Sequence, residues 1–438
     1  MKPVLLAFVG LCAVLAGCAT APEGADGVSG PVPEPEPEPI IVEDMAPPGA
    51  SEETATARRA RREMSPRRAP RREEPTEEAF EEFEFTFEGA PAAAGEMDEL
   101  TYVDIYYASQ RELRERGRGG ELRYTADAAP GLTYGKAEVS LPPNHECARL
   151  EGRDFFRGDF TLDPEDDVVL QGFTLLPKTD FYARLAADVA DTPQRHVLVF
   201  IHGFAVSFDD AARRTAQVQY DLATCFDAPL ATPVLYTWPA RSGLFSSISI
   251  FDYLHDRETS EGTVEHLVDF LNDVSERSGA DKIHVIAHSM GNNALVRALV
   301  RIAEEDRGSG APVFGQIVLA AADIERSIFT SMAERMGGVG EQVTLYASSN
   351  DRAMQAARRL RGDLLRAGDA TPPILVTSGV ATIDASAVQT ELLGVNHSFF
   401  GDAPSILSDM AEMFWTGAQP DARGLAEAED GDYWVITP

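Results

Sequence analysis

Residues 281–302 read D-K-I-H-V-I-A-H-S-M-G-N-N-A-L-V-R-A-L-V-R-I, and the period of the apolar residues changes halfway through. Ile283 to Ala287 form a short apolar run of strand length, whereas Ala294, Leu295, Ala298, Leu299 and Ile302 recur at helical spacing. Ser289 sits between them. A serine at a tight strand-to-helix turn is held in a strained backbone with its hydroxyl exposed, and the N–H that follows points where an oxyanion would form. Ala287 stands where G-x-S-x-G has its first glycine. Small residues are needed there because the turn brings two backbones together, and alanine adds only one methyl. The stretch therefore reads as a nucleophile elbow.

Strands and helices alternate on both sides of it. His196 to Ile201 (H-V-L-V-F-I) is a continuous apolar run, as buried parallel strands are. After the loop His202-Gly203-Phe204 comes a helix over 209–224, with Ser207 or Asp209 as its cap. A strand over 233–237 ends in W-P-A-R-S-G, and a helix over 263–275 leads into the elbow strand. Downstream follow strands at 316–321 and 342–348, a helix over 352–365, a strand over 373–376 and a last helix over 405–414. Before this region, T-Y-V-D-I-Y-Y-A-S from Thr101, Y-G-K-A-E-V-S-L over 134–141 and the run 168–176 read as antiparallel strands, followed by a helix over 180–188. The pattern predicts an α/β fold, a mostly parallel, doubly wound sheet whose functional sites lie at the carboxyl ends of its strands.

An elbow of this kind is followed along the chain by an acid and then a histidine. Of the eight histidines only His397 lies after Ser289, so the elbow fixes the base. Two acids remain open. Asp351 follows the strand 342–348 in A-S-S-N-D-R, and Asp323 ends the strand before it in L-A-A-A-D-I. Either would hold His397 in the proper tautomer and stabilise the imidazolium. The oxyanion hole needs two N–H donors: Met290 after the nucleophile, and Phe204 or Ala205 in the H-G-F-A loop. His202, His284 and His288 precede the nucleophile and read as structural. Trp238, Leu244, Phe245, Ile248, Ile250 and Phe251 form an apolar acyl pocket or lid, or else a buried packing segment.

The blocks V-D-I-Y-Y-A-S, Y-G-K-A-E-V-S-L-P, F-I-H-G-F-A-V-S-F-D-D-A-A-R-R-T-A-Q, Y-T-W-P-A-R-S-G, A-H-S-M-G-N, Y-A-S-S-N-D-R-A and N-H-S-F-F occur in this order. Together they resemble a bacterial family of α/β-hydrolase-fold proteins whose substrates are largely unassigned. The resemblance spans roughly 101–414 and implies an α/β-hydrolase fold with Ser289, Asp351 and His397 as its triad.

The N-terminus carries Lys2, an apolar run from Val4 to Leu15 and then L-A-G-C. This is too short to span a membrane and reads as an export signal. The ending resembles a lipobox, which implies acylation of Cys18 and, with Ala19 next, anchoring at the periplasmic face of the outer membrane. Residues 19–97 are rich in Pro, Glu and Ala and bury too little apolar surface to fold. As a coil of roughly 80 residues they would span on the order of 50 Å. Within them, an arginine block opening at Arg58 and closing at Arg72 would be drawn to an anionic envelope surface at about 1 kcal/mol per arginine. A self-solvating polyampholyte is the plainer reading.

The expected organisation is a signal at 1–18, a tether at 19–97, a catalytic domain at 98–417 and an acidic tail at 418–438. A formal net charge of −33 argues against nucleic-acid binding. Cys147 and Cys225 read as two separate small buried hydrophobes, with pairing as the alternative. No zinc-ligand spacing or cofactor motif is present. The expected function is an envelope-anchored serine hydrolase acting on a small-molecule or lipid ester. The alternatives are acyl transfer by the same residues, and a non-catalytic tethered interaction protein on the same fold.

Overall fold

A computed structural model describes residues 100–116, 121–152, 162–228, 230–241, 250–305, 313–360, 362–388, 397–429 and 431–438. The expected leader, the tether with its Arg58 to Arg72 block, and the stretch bearing Leu244, Phe245 and Ile248 lie outside the described residues. The described residues begin with an antiparallel meander, β1 (Thr101–Arg116), β2 (Glu121–Leu141) and β3 (Val169–Leu176). Then α1 (Lys178–Asp191), β4 (His196–Ile201), α2 (Phe208–Thr224), β5 (Thr232–Thr237), α3 (Ile250–Gly262), α4 (Val264–Arg277) and β6 (Lys282–His288) lead to the elbow. After it come α5 (Gly291–Glu305), β7 (Phe314–Ala320), α6 (Arg326–Ala333), β8 (Gly340–Ala347), α7 (Arg352–Leu360), β9 (Ala381–Asp384), α8 (Phe399–Asp402) and α9 (Pro404–Thr416).

With two short strands at the C-terminal end, β10 (Ala426–Glu427) and β11 (Trp434–Val435), the strands form one sheet in the order β10-β11-β9-β8-β7-β6-β4-β5-β1-β2-β3. From β1 to β9 across its centre the neighbours are parallel. Side chains of a strand alternate between faces, so each apolar strand feeds two cores. Val197, Val199 and Ile201 of β4 pack with α1, α4, α5 and α6 on one side. Leu198 and Phe200 pack with α2, α8 and α9 on the other. Each fully buried large apolar side chain contributes roughly 1.5–3 kcal/mol. This double burial explains why the central strands carry no polar alternation.

Three expectations change. The strand predicted over 373–376 is not formed. Pro372 and Pro373 carry no N–H to donate to a ladder, and the strand lies later, at β9. The tail predicted at 418–438 is part of the sheet: β10 (Ala426–Glu427) and β11 (Trp434–Val435) form its edge, with Trp434 opposite Ile383, and the Ile436 N–H donates to the Asp384 carbonyl at 3.0 Å. Two-residue strands in an acidic segment leave no period to read. Cys147 and Cys225, expected as separate residues, form a disulfide. Their sequence separation is 78, and closing a loop of that length stabilises the fold by about 4 kcal/mol in the chain-entropy account.

Beside that disulfide, His145 lies between two carboxylates, with Nδ1 2.8 Å from Glu151 and Nε2 2.7 Å from Asp221. Burial opposes its charge, but the two carboxylates outweigh it and push its pKa up to about 9. A raised folded-state pKa gives stability that is fully present below the ordinary value of 6.5 and is lost as pH rises through 9. Unfolding stability is therefore expected to fall by on the order of 2 kcal/mol between those limits. Denaturant titrations at pH 6 and pH 9.5 check this, and His145→Gln should flatten the difference. An equal slope in that variant would place the dependence elsewhere.

Candidate active site

The elbow forms at the carboxyl end of β6. Ser289 has φ 52°, in the left-handed region that a non-glycine residue enters only under constraint. The constraint is visible in the hydrogen bonds. The Ser289 N–H donates to the Ala320 carbonyl at 2.9 Å, and the Ser289 carbonyl accepts from the N–H groups of Asn292 and Asp323, both at 3.2 Å. The Asn292 amide donates to the carbonyls of Ala287, Ser289 and Ala320, tying three backbones together at the turn. Close approach requires two glycines. A Cβ on Gly203 would lie 2.9 Å from the Ser289 Cβ, and one on Gly291 would lie 2.4 Å from the His202 carbonyl oxygen.

The structure brings Ser289, His397 and Asp351 into one chain of contacts. His397 Nε2 lies 2.9 Å from Ser289 Oγ, and its Nδ1 lies 2.7 Å from Asp351 Oδ2. Asp351 is fully buried at the start of α7, where its other oxygen accepts the Met354 N–H at 3.0 Å. The His397 backbone is held from below, because His288 Nε2 lies 3.0 Å from the His397 carbonyl oxygen and its ring packs against those of His397 and Phe400. Burial lowers the His397 pKa, yet Asp351, with a smaller contribution from Asp323, leaves it above the ordinary value.

Asp323 stands apart from this chain. Its carboxylate accepts the Tyr253 hydroxyl at 2.6 Å and lies 3.2 Å from Arg366 Nε. Of the oxyanion candidates, the N–H of Ala205 is directed at Asp256 Oδ2, at 3.4 Å, whereas those of Met290 and Phe204 meet no acceptor among the described residues. His284 lies near the opposite end of β6, with Nε2 3.3 Å from His196 Nδ1. Of the apolar segment, Trp238 is fully buried and donates to the His202 carbonyl, while Phe251 on α3 is 75% exposed. Among the described residues no group of three or more His, Cys, Asp or Glu side chains is placed to hold a metal ion, and no helix is long and apolar enough to cross a membrane.

A family model described as an alpha/beta hydrolase of unknown function, DUF900, matches residues 178–413, more than half of the chain. The chain belongs to this DUF900 family. The matched span takes in the elbow, the H-G-F-A loop, Asp351 and His397, and leaves out the N-terminal meander and the C-terminal edge strands. No curated protein sequence matches the chain. Among solved structures, the product of gene lin2722 from Listeria innocua is similar at 13% identity and a TM-score of 0.31, over 51% of this chain and 95% of that one. Phospholipase PlaB from Legionella pneumophila in complex with thio-NAD is similar at 11% identity and a TM-score of 0.26, over 55% of this chain and 67% of that one.

Sequence reasoning passes over several residues around the site of this DUF900 protein. Arg111 is almost completely buried under the H-G-F-A loop, and Asp256 and Tyr253 bring α3 onto that loop and onto Asp323. The available signal was an arginine inside an otherwise β-forming run. The α3 residues lie in a stretch without a clear apolar period, so nothing in the sequence marks them.

Proposed function

We propose that this DUF900 protein is a serine hydrolase that cleaves carboxylic esters through an acyl-enzyme. The observation that carries the reading is the unbroken contact chain from Asp351 through His397 to Ser289, set in an elbow whose strain the surrounding hydrogen bonds sustain. His397 Nε2 takes the Ser289 proton as Oγ bonds to the acyl carbon, and Asp351 stabilises the imidazolium formed. The negative charge on the former carbonyl oxygen is met by the N–H groups of Met290 and Phe204. As the carbon–oxygen bond of the leaving alcohol breaks, His397 returns the proton to that oxygen. A water then repeats the sequence on the acyl-enzyme, with His397 as base, and releases the acid.

The same proposal places the enzyme in the cell envelope, held by lipid on Cys18 and spaced from the membrane by residues 19–97. The Cys147–Cys225 disulfide fits an oxidising compartment. Metabolic labelling with an alkynyl fatty acid is expected to mark the full-length protein and to vanish in Cys18→Ser; labelling retained in that variant would remove the anchor from the proposal.

The purified full-length protein is expected to react with a fluorophosphonate, with the phosphonyl adduct mapping to the peptide that contains Ser289. Esters of graded acyl length then define the substrate. A folded protein that neither labels nor turns over any ester would sink the enzymatic reading and leave the tethered interaction protein.

A further inference from the structure

We propose that Arg111 and Thr237, acting through His202, are positioning residues that aim the Gly203–Phe204 peptide so that its N–H serves as the second oxyanion donor. The proposal rests on the serine-hydrolase reading above and concerns how the hole is held open.

Arg111 lies in β1 between two register shifts in its pairing with β2, one at Ser109/Arg111 and the next at Arg111/Leu113. Irregularities of this kind re-aim a side chain, and here the guanidinium turns inward until the residue is 1% exposed. All five of its partners are uncharged. Nε donates to Thr237 Oγ1 at 2.8 Å, Nη1 to the carbonyls of Ala240 at 3.0 Å and Thr125 at 3.3 Å, and Nη2 to the Val206 carbonyl at 2.7 Å. The fifth is His202, whose Nε2 lies 3.3 Å from Nη2. A buried guanidinium without a contacting carboxylate is costly to desolvate. What it gains here is a bridge among β1, β2, the loop after β4 and the loop after β5.

The bridge determines the His202 tautomer. Arginine can only donate, and Thr237 Oγ1, having accepted from Arg111 Nε, has its own proton free for His202 Nε2 at 3.0 Å. Nε2 is therefore the acceptor, and the ring proton sits on Nδ1. Nδ1 lies 2.9 Å from the Gly203 carbonyl oxygen, so the proton is donated there. Burial and the neighbouring Arg111 push the His202 pKa down to about 3, so the ring stays neutral.

A trans peptide is planar, with its C=O and N–H pointing in opposite directions. Fixing the Gly203 oxygen on the His202 ring thus directs the Phe204 N–H away from that ring. Gly203 is packed against Ser289 so closely that a Cβ would collide with it, and the Phe204 N–H has no acceptor among the described residues. The next N–H, that of Ala205, is held by Asp256 in a left-handed backbone with φ 56°. Trp238 holds the His202 carbonyl at 2.9 Å and stacks on its ring. The peptide between these clamps has one orientation.

The test uses purified full-length protein, the second-order rate of fluorophosphonate labelling, and kcat and KM for p-nitrophenyl acetate. Thr237→Val removes the hydroxyl at nearly constant volume and is expected to lower labelling and kcat by at least about tenfold with KM unchanged. Arg111→Met should lower them by about 100-fold, the usual effect of losing one oxyanion donor. Thr237→Ser keeps the hydroxyl and should recover most of the rate, which a merely structural role for Thr237 would not require. Should Arg111→Met fail to fold, the Val and Ser pair decides. Wild-type rates in Thr237→Val, or a loss in KM alone, overturn the proposal. A wild type that does not label at all overturns the serine reading beneath it, and the two failures are therefore distinguishable.

Discussion

Ser289→Ala is expected to reduce ester turnover on the order of 10⁶-fold, down to what binding and oxyanion stabilisation provide without a nucleophile. The substitution deletes one oxygen. Alanine tolerates φ 52° no worse than serine, and the Ser289 main-chain bonds to Ala320, Asn292 and Asp323 do not involve the side chain. The lost partner is His397 Nε2, at 2.9 Å, on a side chain that is 21% exposed and can turn to water. Folding stability is therefore expected to change by no more than about 1 kcal/mol. Parallel measurements of labelling, turnover and thermal midpoint separate the two effects. Turnover that persists in a stably folded Ser289→Ala protein, after contaminating esterases are excluded, would remove Ser289 from the chemistry.

The elbow was legible because two periods meet at one serine. A buried strand run, a serine between small residues and a helix whose apolar positions recur at i, i+3 and i+4 follow one another there without a break. His397 was picked out by order alone, since a single histidine follows Ser289, and its Nε2 lies 2.9 Å from Ser289 Oγ. The Cys147–Cys225 bond was not, because sequence separation says nothing about the distance between Cα atoms, which is 6.2 Å in the fold. The C-terminal edge strands escaped for another reason. At two residues each, β10 and β11 are defined by ladder hydrogen bonds to β9 and to each other, a non-local property. Arg111 belongs to the same class. Its contacts depend on register shifts in β1 that only the pairing with β2 reveals, and on loops after β4 and β5 that lie 95 and 129 residues away at Val206 and Ala240.

Asp351→Asn is expected to lower kcat about 10⁴-fold with the fold intact, because an amide in that position leaves the imidazole in the wrong tautomer. The Asn nitrogen would donate to His397 Nδ1, the ring proton would move to Nε2, and Nε2 could no longer receive the proton of Ser289. The pH profile should change as well. In the proposed mechanism His397 would act as a base only when neutral, and in the wild type Asp351 keeps its pKa above the ordinary value of 6.5 despite burial. The acid limb of kcat/KM therefore lies above that pH, and in the variant it should move lower, since burial then acts with less opposition. Asp323→Asn provides the contrast. That carboxylate is committed to Arg366, itself 2% exposed, and to the Tyr253 hydroxyl. Removing its charge strands a buried guanidinium, so the loss should appear as on the order of 3 kcal/mol of folding stability, with kcat in the folded fraction little changed. The opposite result, a 10⁴-fold kinetic loss at Asp323 and a small one at Asp351, would transfer the acid to β7 and require His397 to turn from the partner it now faces at 2.7 Å.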